Sequence, residues 1–125
     1  NKVYAFVAVD PRNHDQVRTA HLLFGGLYVG ASLPVSAQSQ DVWDLVSGNG
    51  SEPGSWGGHA VNLIDYSPTG GGFVTWGALK SFTWAWWDRY VDEAFVVLEE
   101  DWVGPDRRSP QGFSLTRLAA DIKAL

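Results

Sequence analysis

From His59 to Tyr66 the chain runs His-Ala-Val-Asn-Leu-Ile-Asp-Tyr, an apolar stretch of strand length entered through the glycine-rich Gly54 to Gly58 and left at Pro68. Period-two alternation puts His59, Val61, Leu63 and Asp65 on one face and Ala60, Asn62, Ile64 and Tyr66 on the other. Pro68 to Gly72 then reads as a turn, and Phe73-Val74-Thr75-Trp76 as the returning partner. A strand, a short turn and a second strand can only pair antiparallel, so the chain must build an antiparallel sheet. The glycines deliver His59 to the mouth of its strand, where an imidazole can face a cleft as a base.

The flanking segments extend that sheet. Val3 to Asp10 has strand propensity and is stopped by Pro11. Asn13 followed by Gln16 forms a capping pair for a helix in which Val17, Ala20, His21 and Phe24 share one face, ended by Gly25-Gly26. His21 on that face is expected to be a packed structural histidine, and His14 in the first turn to face solvent. Leu27 to Pro34 alternates Leu27, Val29, Ala31 and Leu33 against Tyr28, Gly30 and Ser32, a strand with one buried face. Ser36 to Val46 reads as a short helix or turn and Ser47 to Gly58 as a loop that lines a cleft. Thr83 caps a short aromatic helix over Trp84 to Tyr90, and Glu93 to Leu98 is a further strand. Pro105 to Gly112 is a linker. Ser114 caps a last helix with Leu115, Leu118, Ala119 and Ile122 on one face.

The expected fold class is therefore α+β: an antiparallel, curved or partly closed sheet with peripheral helices. At 125 residues the chain makes a single domain or lobe. It divides into a sheet-bearing part at 1–104 and a linker with a C-terminal helix at 105–125.

Several classes are excluded. The net charge is -5, and apart from Arg107-Arg108 the basic residues do not cluster, so neither nucleic acid nor an anionic membrane is expected as a partner. No apolar run approaches the roughly 20 residues of a membrane span. Without cysteine there is neither a disulfide framework nor a thiolate metal site, and His14, His21 and His59 have no zinc-ligand spacing. No metal and no cofactor are expected. The start at Asn1 and the absence of methionine lead us to expect a segment of a longer product.

The order of helix, double glycine, apolar strand ending in proline, loop, Gly-His-Ala-Val strand, turn and aromatic-rich return resembles the C-terminal, histidine-bearing lobe of papain-like cysteine peptidases. The resemblance runs from about Asp10 to Leu98. It implies amide hydrolysis through a thioester in a complete enzyme, with His59 as general base and then acid. It also implies a peptide or protein substrate, and a cysteine on a missing N-terminal half or a second chain. Half of a two-lobed enzyme is expected to expose an apolar face prone to self-association. The family's orienting asparagine belongs on the returning strand, within an Asn-Ser-Trp-Gly motif. Here that motif is reduced to Thr75-Trp76-Gly77, which leaves the Thr75 hydroxyl as the orienting candidate, with Asp88 and Asp92 as weaker ones. Asp65 lies roughly 20 Å along the strand from His59, and Asn62 points to the opposite face. Gly57, Gly58 and Trp76 are the expected substrate contacts.

Seven tryptophans in so short a chain leave three readings open. They form an aromatic core, a shield over the histidine, or an exposed coplanar platform for sugars. A non-catalytic peptide binder of the same fold and a tryptophan-rich carbohydrate-binding module are thus the competing functions.

Overall fold

A computed structural model describes residues 3–99, with side chains described from Phe6 to Val97. The expected linker and helix at 105–125 lie outside the described residues. Seven strands form one open sheet in the order β1-β7-β2-β4-β5-β6-β3. These are β1 (Val3–Val9), β2 (Leu27–Leu33), β3 (Val42–Trp43), β4 (Gly57–Tyr66), β5 (Gly70–Thr75), β6 (Ala78–Thr83) and β7 (Val91–Glu99), with α1 (His14–Phe24) between β1 and β2 and α2 (Trp84–Tyr90) between β6 and β7. All ladders are antiparallel except the short parallel pairing of β3 with β6. The fold class is α+β, as the patterning predicts.

Local chemistry explains both helices. Asn13 Oδ1 accepts from the Gln16 amide at 3.1 Å, and Gln16 Oε1 accepts from the Asp10 amide. At the other end Gly25 takes φ 78°, and its N–H reaches the His21 carbonyl at 2.8 Å, which closes the helix in the left-handed conformation glycine tolerates. Thr83 Oγ1 accepts from the Trp86 amide at 3.3 Å and donates to Asp44 Oδ1 at 2.8 Å, so one hydroxyl caps α2 and ties it to the loop after β3.

One sheet face is buried. Val7, Val9, Leu27, Val29, Ala31, Leu33, Leu63, Phe73 and Val96 pack there with Val17 and Ala20 of α1 and with Trp86, Trp87 and Tyr90 of α2. The opposite face carries exposed Phe6, Tyr28, Ile64 and Val74. The tryptophans divide accordingly: Trp43, Trp86 and Trp87 are core, with Trp43 stacked on Trp86 at 4.8 Å, while Trp56 and Trp76 are exposed.

Five segments differ from expectation, the first being β5, which starts at Gly70 inside the expected turn and ends at Thr75, leaving Trp76 in the next turn. Ser36 to Val46 contains a 3-10 turn at Val35–Ser39 followed by β3, because Trp43 must enter the core, where its indole N–H bonds the Ala37 carbonyl at 3.0 Å. β6 falls where patterning assigns no element; it is a strand because it pairs along its length with β5. β7 begins at Val91, directly after α2, since Val91 pairs with Ala31 across a bulge. His14 is half-buried, bound to Asp88 at 2.7 Å and packed on Trp84.

Candidate functional site

β4 and β5 are held in register by the pairs Asn62–Val74 and Leu63–Phe73. Leu63 and Phe73 both point into the core, so Val61, two residues before Leu63, and Thr75, two after Phe73, share that face, with His59 beyond Val61 toward the start of β4. The consequence is contact: His59 Nε2 lies 2.7 Å from Thr75 Oγ1. Thr75 is buried and His59, the third residue of β4, is half-buried. Among the described residues no hydrogen bond reaches His59 Nδ1.

Thr75 opens the turn that joins β5 to β6. It pairs with Ala78, leaving Trp76 and Gly77 as a two-residue loop with φ 49° and 74°. Two consecutive positive φ values are the signature of a type I′ turn, where asparagine, aspartate or glycine is the usual first residue. Trp76 is the one described non-glycine residue with positive φ, a conformation that costs an L-residue roughly 1–2 kcal/mol. That backbone lays the indole over the imidazole, with ring centroids 4.6 Å apart and planes 14° from parallel. Trp56, arriving from the loop before β4, stacks on Trp76 at 5.2 Å and 30°.

A shallow groove opens at this point, lined by Leu33, Trp56, Gly57, Gly58, His59 and Trp76. A Cβ built at Gly57 or at Gly58 would meet nothing within 4 Å, so no part of the described fold fills the space beside these residues. On the other side of the two tryptophans a second depression is walled by Ala37, Trp43, Leu79 and Lys80.

His59, Thr75, Gly57, Gly58 and Trp76 are thus adjacent in space. Asp88 is occupied by His14, and Asp92 accepts from Ser32 Oγ, so neither reaches His59. The Asp65 carboxylate accepts from the Tyr66 amide, and Asn62 lines a separate groove on the far face with Tyr28 and Ile64. Trp56 and Leu33 are site residues that sequence patterning does not single out. The available signal was an aromatic residue three positions ahead of His59, confined between Gly54 and Gly57.

Among the described residues no group of three or more His, Cys, Asp or Glu side chains is placed to hold a metal ion. No described helix is long and apolar enough to cross a membrane. No family model, curated protein or solved structure matches the chain.

Proposed function

We propose that this chain is the histidine-bearing lobe of a cysteine peptidase of papain-like type, completed by a cysteine supplied from outside these 125 residues. The observation that carries the reading is the bond from His59 Nε2 to Thr75 Oγ1, made while no described residue bonds Nδ1, at the edge of a groove.

The chemistry follows from that division of the ring. Nδ1 takes the proton of an incoming thiol, giving a thiolate and an imidazolium whose Nε2–H donates to Thr75. The thiolate attacks the scissile carbonyl carbon. As the C–N bond breaks, the Nδ1 proton passes to the departing amine and a thioester remains. Water, deprotonated by His59, then attacks the thioester, releasing the carboxylic acid and restoring the thiol. Trp76 over the imidazole limits water access to the Nε2 bond, which strengthens it. Gly57 and Gly58 leave room for an extended backbone to approach.

A threonine performs the orienting role less strictly than an amide. An amide oxygen only accepts and so imposes the Nε2–H tautomer, whereas a hydroxyl can accept or donate. This favours one second reading, a non-catalytic relative whose groove binds peptide. A sugar platform finds less support, because the exposed Trp56 and Trp76 turn their faces toward each other.

The test is to assay the encoded protein, including whatever precedes Asn1, on an unstructured protein substrate. The peptidase reading expects turnover that stops on thiol alkylation and in His59→Ala. Turnover indifferent to both changes overturns it, and inactivity with retained peptide binding selects the non-catalytic binder.

A further inference from the structure

We propose that Trp56 is a positioning residue, which fixes the His59 imidazole by holding Trp76 in its left-handed turn. This rests on the reading of His59 as a base, because an ordered ring matters most where a proton must be exchanged in one direction.

Three rings are linked in series. His59 stacks on Trp76 at 4.6 Å, and Trp76 stacks on Trp56 at 5.2 Å. Trp76 cannot secure the imidazole unaided. It stands at the tip of a two-residue turn, 62 % exposed, in a backbone conformation that asparagine or glycine would adopt at less cost. A bulky residue persists in such a conformation only where surrounding contacts over-determine it. Trp43 meets the Trp76 ring edge-on at 6.4 Å, which leaves Trp56 and His59 as the partners stacked on its face.

Trp56 is suited to this because its own backbone is held on several sides. Its N–H donates to the Leu33 carbonyl at 2.9 Å, and Gly54 N–H donates to Ser32 at 3.1 Å. The Ser55 hydroxyl accepts from Val35 N–H at 2.9 Å. Further back in the loop, the buried Tyr90 hydroxyl donates to the Ser51 carbonyl. The loop is thus tied to the end of β2 and to α2. Gly57, at φ 142°, then redirects the chain into β4 directly after the indole is placed. The rigid sheet therefore holds Trp56, Trp56 limits Trp76, and Trp76 limits the imidazole.

The experiment uses the 125-residue chain and compares Trp56→Ala, Trp56→Leu and Trp56→Phe with the parent. One measurement is the rate at which diethylpyrocarbonate acylates His59, read at peptide level by mass spectrometry with His14 and His21 as internal controls. The other is the His59 imidazole 15N spectrum. Losing one aromatic stack should raise the His59 rate roughly 2- to 10-fold in the alanine and leucine variants. The His14 and His21 rates should be unchanged, and phenylalanine should restore most of the parental rate. A purely structural role would instead change all three histidines together, or none, with any change in melting. Unaltered His59 rate and spectrum in both the alanine and leucine variants overturn the proposal, as does a phenylalanine variant that behaves like alanine. The readout needs neither cysteine nor substrate, so its failure leaves the peptidase reading to be judged by turnover alone. If the alanine variant does not fold, leucine against phenylalanine gives the same comparison with the volume of the site largely kept.

Discussion

The Thr75 hydroxyl and the His59 imidazole meet at 2.7 Å although 16 residues separate them, because the Leu63–Phe73 pair sets β4 and β5 in the one register that puts both on the same face. Thr75→Val keeps the shape and removes the oxygen, leaving Nε2 without its partner. The expected cost is about 1 kcal/mol, read from the denaturant midpoint, together with a changed His59 15N spectrum. Thr75→Asn restores an acceptor and should favour the Nε2–H tautomer more strongly than threonine does.

Stability and site order should separate at Trp76. Trp76→Asn relieves a strain of roughly 1–2 kcal/mol and gives up stacking of about 0.5–1.5 kcal/mol per aromatic partner. Over its two stacked partners the loss is about 1–3 kcal/mol, partly offset by the strain relieved. Net stability should therefore change by no more than about 2 kcal/mol, while His59 becomes more accessible to acylation. A large loss of stability without a change at His59 would contradict this division.

At Gly70 the demand for glycine is steric. A Cβ there would stand 1.9 Å from the Phe82 carbonyl oxygen of the neighbouring strand, and backbone cannot retreat as a side chain can. Gly70→Ala should destabilise by about 1–3 kcal/mol or more, measured by equilibrium unfolding. Gly58→Ala, with nothing within 4 Å of its Cβ, should be nearly neutral.

These residues also indicate where sequence reading succeeds. The ends of α1 and α2 were legible because Asn13, Gly25 and Thr83 act on their own neighbours in the chain. β2 was legible because burial alternates along it. β6 was not, since Ala78-Leu79-Lys80-Ser81 has little strand propensity, Ala78 and Leu79 are exposed, and its conformation is set by pairing with β5. β3 depends on a parallel contact with β6 from some forty positions away, reported by Val42–Ser81. At the site, hairpin spacing sufficed to bring Thr75 toward His59. The positive φ of Trp76 and the return of Trp56 depend on how two loops meet, which periodicity does not encode.

The 125-residue chain alone should hydrolyse no peptide bonds, because it holds no cysteine and the mechanism requires a covalent nucleophile. Ser51 and Ser55 do not substitute: the Ser51 hydroxyl donates to the Gly48 carbonyl, and the Ser55 hydroxyl is engaged with Val35. Turnover that survives a thiol-blocking reagent and disappears in His59→Ala would reveal another nucleophile and contradict the reading.

The most direct test of His59 as a base is the long-range 1H–15N spectrum of its imidazole, recorded before and after an extended peptide amide is added. The account predicts an Nε2–H that donates to Thr75, and a peptide-induced shift concentrated on Nδ1 and on the Trp76 indole. A ring that carries a proton on Nδ1 and none on Nε2, or one indifferent both to peptide and to Thr75→Val, would contradict it.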